Sequence, residues 1–172
     1  MNSSFRLLMW LVVTALGLAV LPGIAFSQQR SLKDQLVGKW TLVSFENTAP
    51  DGTKRYLFGE NPKGIAIFDT DGRFAQVQVK SDRPKFQANN RLRGTPEENQ
   101  AALAGAYAAF GTWSVNEAER TLIRHIEGSA SFPNEEGRDS KWFVTLTGDE
   151  LKASLPAPAA GGRTELLWKR VK

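Results

Sequence analysis

An alternation of apolar and polar side chains, two residues in period, runs through most of this chain and constrains the fold more than any other feature. It is clear in Gly64 to Phe68, Arg73 to Lys80, Lys141 to Thr147 and Glu150 to Leu155. A period of two is the spacing of side chains on one face of a β-strand. The pair Asp71-Gly72, typical of tight hairpins, separates the first two segments. We therefore predict a mostly β protein with short turns.

One segment interrupts this alternation with a helical pattern. Thr95-Pro96-Glu97-Glu98 has the residue types of a capping box with proline at the first helical position. Apolar residues then recur at the three- and four-residue spacings of a helix face, at Leu103, Ala106, Tyr107 and Phe110. The pattern predicts one short α-helix from Thr95 to Phe110, ended by Gly111.

The order of these segments predicts the architecture. Further strands are expected around Trp40 to Phe45, Gly111 to Val115, Arg120 to Glu127 and Arg163 to Val171. Consecutive strands joined by short turns usually pair with their sequence neighbours, and a long meander closes well into a barrel. We predict a single antiparallel up-and-down β-barrel of about 8–10 strands with one short α-helix inserted mid-chain. A two-sheet sandwich is the alternative.

The first 27 residues have the organisation of a secretory signal peptide. Arg6 precedes the uncharged apolar run Leu7 to Leu21, and Pro22-Gly23 and small residues lead to Ser27. That run is shorter than the ~20 residues that cross a bilayer as a helix. We predict a signal peptide over residues 1–27, one domain over residues 28–172, and a periplasmic or secreted location. A retained membrane anchor is the alternative.

Composition excludes several functional classes. Cysteine is absent, which rules out disulfides, thiolate metal sites and a cysteine nucleophile. There is one histidine, His125, so no metal site is predicted. The formal charge is +4, and its one basic run, Lys80 to Arg93, lacks the interleaved aromatic residues of a nucleic-acid-binding surface. No phosphate-binding loop, dinucleotide fingerprint or serine elbow occurs. We expect no cofactor, no metal and no nucleic-acid partner.

The ends of the predicted barrel resemble the lipocalin group of barrels. Gly38-Lys39-Trp40 opens the first strand, and Arg170 stands in the last. In that group, a Gly-x-Trp begins strand one and an arginine of the final strand packs on the indole, which closes one end of the barrel. Such a contact is a cation–π interaction, and glycine allows close approach of the backbone. The resemblance implies a structural role for Gly38, Trp40 and Arg170.

Motifs along essentially the whole mature chain are similar to those of the bacterial lipocalin-like domain family, which implies a calycin-type barrel. They occur in the same order as in that family, at Gly59 to Gly64, Asp71 to Arg73, Asp82 to Pro84, Gly94 to Glu98, Phe110 to Thr112 and His125 to Asn134. The sequence departs from the family pattern at Phe68, where an aromatic hydroxyl is common. It also departs near Lys141-Trp142, where an arginine is common.

His125 is the candidate acid–base residue, because imidazole titrates near neutral pH. It alternates with Ile123 and Glu127 on one face of its predicted strand, and Arg124 occupies the opposite face. The alternative is a histidine that is hydrogen-bonded into the barrel wall or simply exposed.

Three functions are compatible with these patterns. The predicted one is an exported barrel that binds or carries a small apolar or amphipathic molecule in its interior, because such pockets are mostly apolar with few polar contacts. The candidate ligand-binding residues are Gln76, Gln78, Tyr107, Phe110 and His125.

Two alternatives stay open. One is a cofactor-free isomerase, cyclase or lyase that uses His125 with Glu127 or Tyr107. The other is an envelope protein-interaction module whose barrel is filled by side chains. Apolar residues on both faces of several strands are compatible with this last function, since outward apolar groups can contact a partner.

Overall fold

A computed structural model describes residues 30–155 and 162–172. The predicted signal peptide and its cleavage site lie outside these residues. In chain order, the α-helices and strands are α1 (Leu32–Leu36), β1 (Gly38–Thr48), β2 (Lys54–Arg55), β3 (Lys63–Phe68), β4 (Arg73–Val79), α2 (Pro96–Ala104), β5 (Ala106–Asn116), β6 (Thr121–Ser129), β7 (Asp139–Thr147), β8 (Glu150–Leu155) and β9 (Arg163–Arg170).

The strands form a closed antiparallel barrel of eight strands, β1 and β3 to β9. Each strand pairs with its neighbours in sequence, and β1 also pairs with β9. At the closure, Trp40 is the partner of both Ala66 in β3 and Arg170 in β9. The short β2 pairs antiparallel with the last two residues of β1, Asn47 and Thr48. The predicted up-and-down barrel with a short mid-chain helix is therefore confirmed.

The mid-chain helix is shorter than predicted. Its capping box is present, because Thr95 Oγ1 accepts a bond of 3.2 Å from the Glu98 amide, and Glu98 Oε2 accepts one of 2.9 Å from the Thr95 amide. The prediction was wrong beyond Ala104, where Gly105 ends the helix. From Ala106 onward, β5 pairs with β4, and this pairing satisfies the backbone that a longer helix would have bonded internally. Tyr107 and Phe110 therefore belong to a strand.

One end of the barrel is closed by α1, which the sequence patterns did not predict. Leu32 and Leu36 of this helix are buried. The indole Nε1 of Trp40 donates a bond of 2.9 Å to the Leu36 carbonyl. The Arg170 guanidinium lies 4.1 Å from the centroid of the Trp40 ring, and its Nη1 donates a bond of 2.9 Å to the Val37 carbonyl. The helix, the indole and the guanidinium thus form one closed end.

Gly38 joins α1 to β1 at this closed end. Its φ is +130°, a region in which side chains other than hydrogen are strained. A Cβ at this position would also lie 3.0 Å from Nη1 of Arg170. Both the backbone conformation and the neighbouring guanidinium therefore require glycine.

The barrel interior is packed with large apolar side chains. The buried core includes Trp40, Leu42, Phe68, Phe74, Trp113, Ile126, Val144, Leu151, Leu166 and Trp168. Rings of Phe68 and Trp113 meet edge to face with centroids 5.2 Å apart. At the end opposite α1, the strands are joined by longer connections, including the loop that carries α2 and the segment between β6 and β7. Access to the interior is therefore expected from that end.

Candidate functional site

Five polar side chains meet inside the otherwise apolar barrel. They come from four consecutive strands and form what we call the interior polar cluster: Gln76 and Gln78 of β4, Tyr107 of β5, Arg124 of β6 and Ser140 of β7. Alternate residues of a strand face the same side, and in each of these strands the cluster residues lie on the face that packs on the core.

Arg124 is the centre of this cluster. Its side chain is buried, with 4% of the residue exposed. Nη1 donates a bond of 2.6 Å to Oε1 of Gln76, and Nη2 donates one of 3.1 Å to Oγ of Ser140. The guanidinium also lies 5.6 Å from the ring centroid of Phe74 and 5.5 Å from that of Trp142. Its Nε is buried and has no hydrogen-bond partner within the part of the chain that the structure describes.

The positive charge of Arg124 has no ion-pair partner among residues 30–155 and 162–172. Burial lowers the pKa of Arg124, and the nearby Tyr107 and Glu135 raise it. Arginine nevertheless stays protonated in proteins. The barrel interior therefore contains a positive charge whose direct hydrogen-bond partners are neutral.

Tyr107 and Glu135 lie beside Arg124. Burial raises the pKa of the Tyr107 hydroxyl; Arg124 lowers this pKa, and Glu135 raises it again. The phenol is therefore neutral at physiological pH and can donate a hydrogen bond. Glu135 belongs to a short 3-10 turn, Pro133–Glu135, and its Oε1 is buried without a partner among the described residues. Two buried polar atoms near Tyr107, Nε of Arg124 and Oε1 of Glu135, thus have no hydrogen-bond partner among the described residues, which is uncommon in folded proteins.

A cavity lies against Arg124 and Gln76 in the barrel. Its other walls are apolar and include Phe68, Leu122, Trp142, Leu166 and Trp168. The space open to the centre of a water molecule is about 20 Å³, enough for roughly one water. In this conformation, the cavity is far smaller than a pocket for a drug-sized molecule, which has a volume of about 300–1,000 Å³.

Trp142 is the most exposed residue of the cavity wall. Every other residue that the structure places in the lining is buried, whereas Trp142 is half-buried. Its Nε1 donates a bond of 2.8 Å to Oγ of Ser140. Strand β7 pairs with β8 only from Phe143 to Thr147 in the described residues, so Trp142 lies just beyond that pairing.

A surface groove adjoins this part of the wall, and we call it the entrance groove. It is lined by residues that include Glu135, Arg138, Ser140, Lys141 and Leu155, with a volume of about 250 Å³. Ser140 also bonds Arg124, so the groove reaches a direct partner of the buried charge. The groove and the cavity are therefore connected through Ser140, which lines the groove and bonds both Arg124 and Trp142 of the cavity wall.

The candidate acid–base residues lie on the outer face of β6. His125 Nδ1 is 2.9 Å from Oδ1 of Asp139, and both side chains are about half exposed. The Glu127 carboxylate accepts two bonds, of 2.6 and 2.9 Å, from the Arg73 guanidinium. Neither His125 nor Glu127 joins the interior polar cluster, so the geometry offers no shared site for these residues with Tyr107.

The predicted ligand-binding residues divide into two groups. Gln76, Gln78 and Tyr107 lie in the interior polar cluster, whereas Phe110, with 51% of its surface exposed, and His125 lie outside. Their part in binding stays a prediction.

Sequence reasoning missed Arg124 as a site residue, although a signal for it exists. In β6, Leu122, Arg124 and Ile126 share one face, and all three are buried. An arginine flanked at two-residue spacing by large apolar residues therefore indicates an inward-facing charge.

The described residues contain no group of three or more histidine, cysteine, aspartate or glutamate residues placed to hold a metal ion. None of their helices has the length and apolar character needed to cross a membrane.

A closed antiparallel barrel with one end shut by α1, Trp40 and Arg170 defines a lipocalin-like barrel, a fold that in general binds ligands in its interior. The profile of the family described as lipocalin-like domain matches residues 37–171, from just before β1 to just after β9. The chain belongs to this family. No curated protein matches the chain significantly.

Proposed function

We propose that the protein is an exported lipocalin-like barrel that binds or carries a small apolar or amphipathic molecule in its interior. The interior polar cluster is the observation that carries this proposal. A buried charge costs stability unless it is well paired, and apolar residues of similar volume often replace such groups without loss. A barrel stabilised by packing alone has no need of Arg124. Contact with a ligand would offset its cost.

The cavity must enlarge to admit such a ligand, and Trp142 offers the route. This side chain is the half-buried part of the wall, and its indole bonds a side chain, Ser140, and not the barrel backbone. Rotation of Trp142 toward solvent would join the cavity to the entrance groove. The hydrogen bonds between the strands would stay intact, so the change would be one of side chains.

Native mass spectrometry tests this function directly. The protein would be purified from its host's envelope without detergent and measured under native and denaturing conditions. We expect a stoichiometric mass excess that disappears on denaturation, when the ligand is released. A polypeptide mass without excess, together with no small molecule in an organic extract of the same sample, would contradict the proposal.

Export is a separate part of the proposal and is supported by the first 27 residues of the sequence. The intact mass of the protein from the envelope fraction measures it. Cleavage after Ser27 predicts a chain that begins at Gln28. A chain that retains residues 1–27 would instead indicate a membrane anchor.

A second candidate function has a specific observation in its favour. The small cavity volume, about 20 Å³, is compatible with a barrel filled by side chains. In addition, Ile65, Val77 and Phe110 are 40%, 44% and 51% exposed on the outer wall. Ile65 pairs with Val77 across β3 and β4, and Phe110 pairs with Ala75 across β4 and β5, so these apolar residues adjoin. Such a surface suits contact with another envelope protein.

The size of the native particle distinguishes this candidate from a free carrier. An interaction module is expected to elute from envelope extracts as a complex, and Val77→Glu should reduce it to the mass of the single chain. The same elution volume for Val77→Glu and the unchanged protein would argue against this surface as an interface.

A further inference from the structure

We propose that the ligand held in the barrel carries an anionic group of the carboxylate type and that this group binds Arg124. The inference rests on the proposed ligand-binding function and adds the charge of the ligand and the residue that recognises it. It is carried by three observations: the unsatisfied Nε, the neutral partners of the guanidinium, and the apolar walls of the adjoining cavity.

Hydrogen-bond geometry is the first observation. A guanidinium has five N–H donors, and the described residues engage one on Nη1 and one on Nη2 of Arg124. Within the described part of the chain, the Nε–H has no partner although it is buried. An Nε–H and an Nη–H of one arginine are parallel, and together they match the two oxygens of a carboxylate. With Nε–H unpartnered among the described residues and one bond from each Nη, Arg124 retains donors that an anion could engage.

Charge is the second observation. The side chains that bond Arg124 directly are the amide of Gln76 and the hydroxyl of Ser140, and neither carries a negative charge. A buried cation is normally paired, because leaving it unpaired is costly. A ligand carboxylate would supply the missing counter-charge. A neutral ligand would leave Arg124 with Glu135 as its nearest negative charge and with no direct ion pair, and a cationic ligand would be repelled by Arg124.

The surrounding surface defines the rest of the ligand. Beyond Gln76 and Arg124, the cavity is lined by apolar side chains such as Phe68, Leu122 and Trp168. A hydrocarbon or aromatic body fits such walls, since burial of apolar surface is favourable. The neutral Tyr107 hydroxyl beside Arg124 can donate a second bond to an oxygen of the same anion. The ligand class is thus an amphipathic monoanion with a compact apolar body.

The carboxylate of Glu135 allows the sign of the ligand's charge to be tested. Its charge is near enough to Arg124 and Tyr107 to act on both, and one of its oxygens is buried. An arriving carboxylate would be repelled by it. Replacing Glu135 by glutamine removes this repulsion while keeping the shape of the side chain, so the affinity for an anion should rise. The affinity for a cation should fall by the same reasoning.

The experiment compares three probes of one chain length, decanoate, decanol and decylamine, by isothermal titration calorimetry. Mature protein freed of copurified lipid is used unchanged and as Arg124→Met and Glu135→Gln. We expect decanoate to bind most tightly to the unchanged protein. Arg124→Met should weaken decanoate binding about ten- to hundredfold, the usual effect of losing hydrogen bonds to a charged group, and should change decanol binding far less. Glu135→Gln should tighten decanoate binding.

The outcomes separate this inference from the proposed function. Equal binding of decanol and decanoate, unaffected by Arg124→Met, would overturn the anionic ligand and leave a carrier of neutral amphiphiles. Tighter binding of decylamine, weakened by Glu135→Gln, would overturn it in favour of a cation. Failure of all three probes to bind would overturn both proposals. If Arg124→Met does not fold, the direction of the Glu135→Gln effect on decanoate decides alone.

Discussion

Arg124 and Gln76 are separated by 48 positions in the chain, yet Nη1 of the arginine lies 2.6 Å from Oε1 of the glutamine inside the barrel. Strands β4 and β6 are not neighbours in the sheet, because β5 runs between them. The bond therefore reaches across the interior face of β5 and joins two strands that are not paired with each other. It shows that the polar residues point toward a common interior region.

The stability of Arg124 variants should reflect this burial. Arg124→Met removes the buried charge but leaves Oε1 of Gln76 without its donor, so the free energy of unfolding should change by no more than about 1 kcal/mol. The double variant Arg124→Met with Gln76→Leu removes both partners of this bond but leaves Oε1 of Gln78 without the donor that Nε2 of Gln76 supplies, so its free energy of unfolding should stay within about 1–3 kcal/mol of that of the unchanged protein. Urea denaturation measures both. A loss of several kcal/mol in the double variant would show that the polar pair stabilises the barrel.

The stability of the barrel should depend on the aromatic side chain at its closed end. Trp40 is fully buried, and Trp40→Ala is expected to lower the free energy of unfolding by about 3–5 kcal/mol through loss of packing and formation of a cavity. Arg170→Lys should also destabilise, because lysine cannot both stack on the indole and bond the carbonyls that arginine reaches. Lys169→Ala, at an exposed neighbouring position, is the matched control, with a change within about 0.5 kcal/mol. An equal effect of the Arg170 and Lys169 variants would contradict this role.

Gly111 should not tolerate a side chain. A Cβ at this position would lie 1.9 Å from the backbone oxygen of His125, at the irregularity between β5 and β6. Gly111→Ala must therefore displace one strand, and we expect a loss of about 1–3 kcal/mol, the range of overpacked sites. Thermal unfolding followed by circular dichroism checks this, with Thr112→Ala, at the exposed next position, as the control. If Gly111→Ala melts at the same temperature as the control, β5 and β6 can move apart at this position without loss of stability.

Acidic pH should loosen the loop before α2. The Glu98 carboxylate accepts bonds of 2.9 Å from the amides of Gln87 and Thr95, and these bonds hold the pKa of Glu98 below its ordinary value of 4.5. A lowered folded-state pKa means that the stabilisation is complete above pH 4.5 and is lost as the pH falls through the folded-state pKa. Amide hydrogen exchange at Gln87 and Thr95 should therefore speed up in acid beyond its intrinsic pH dependence.

Glu98→Gln is the control for this pH effect, because its amide cannot titrate. Exchange at the same two amides should show only the intrinsic pH dependence in this variant. A pH response in Glu98→Gln equal to that of the unchanged protein would assign the effect to another group.

The rate at which a ligand enters past Trp142 should depend on the size of that side chain. Trp142→Ala removes the half-buried part of the cavity wall, so association of decanoate, followed by stopped-flow fluorescence of the remaining tryptophans, should become faster. Phe143→Ala is the matched control, because Phe143 is the next residue and is 51% exposed on the outer face. Equal association rates in the two variants would place the entrance elsewhere.

Much of the fold follows from the sequence because its determinants are local. Period-two alternation, the Asp71-Gly72 turn and the Thr95–Glu98 capping box depend on residues a few positions apart, and the structure contains each of them. The end of α2 was mispredicted because the residues after Gly105 fit a helix face as well as a strand, and pairing with β4 decides between them. Helix α1 has five residues, too few for a periodic signal.

The site was less accessible to sequence reasoning for a different reason. Periodicity divides a strand into two faces but does not say which faces inward when both carry apolar residues. In β6, Ile123 stands on the side of His125, and Leu122 stands on the side of Arg124. Closure of the barrel determines which face of β6 points inward, and it brings Arg124 together with residues from distant parts of the chain.

The pairing of β1 with β9 has a consequence for the order in which the molecule is made. From Trp40–Arg170 to Thr48–Arg163, β1 is paired with β9, so the barrel remains open until β9 has emerged from the ribosome. Contacts between such distant segments form slowly. For a chain that is exported, as proposed here, this delay keeps the polypeptide in an open form that can pass through a translocation channel until β9 has been made.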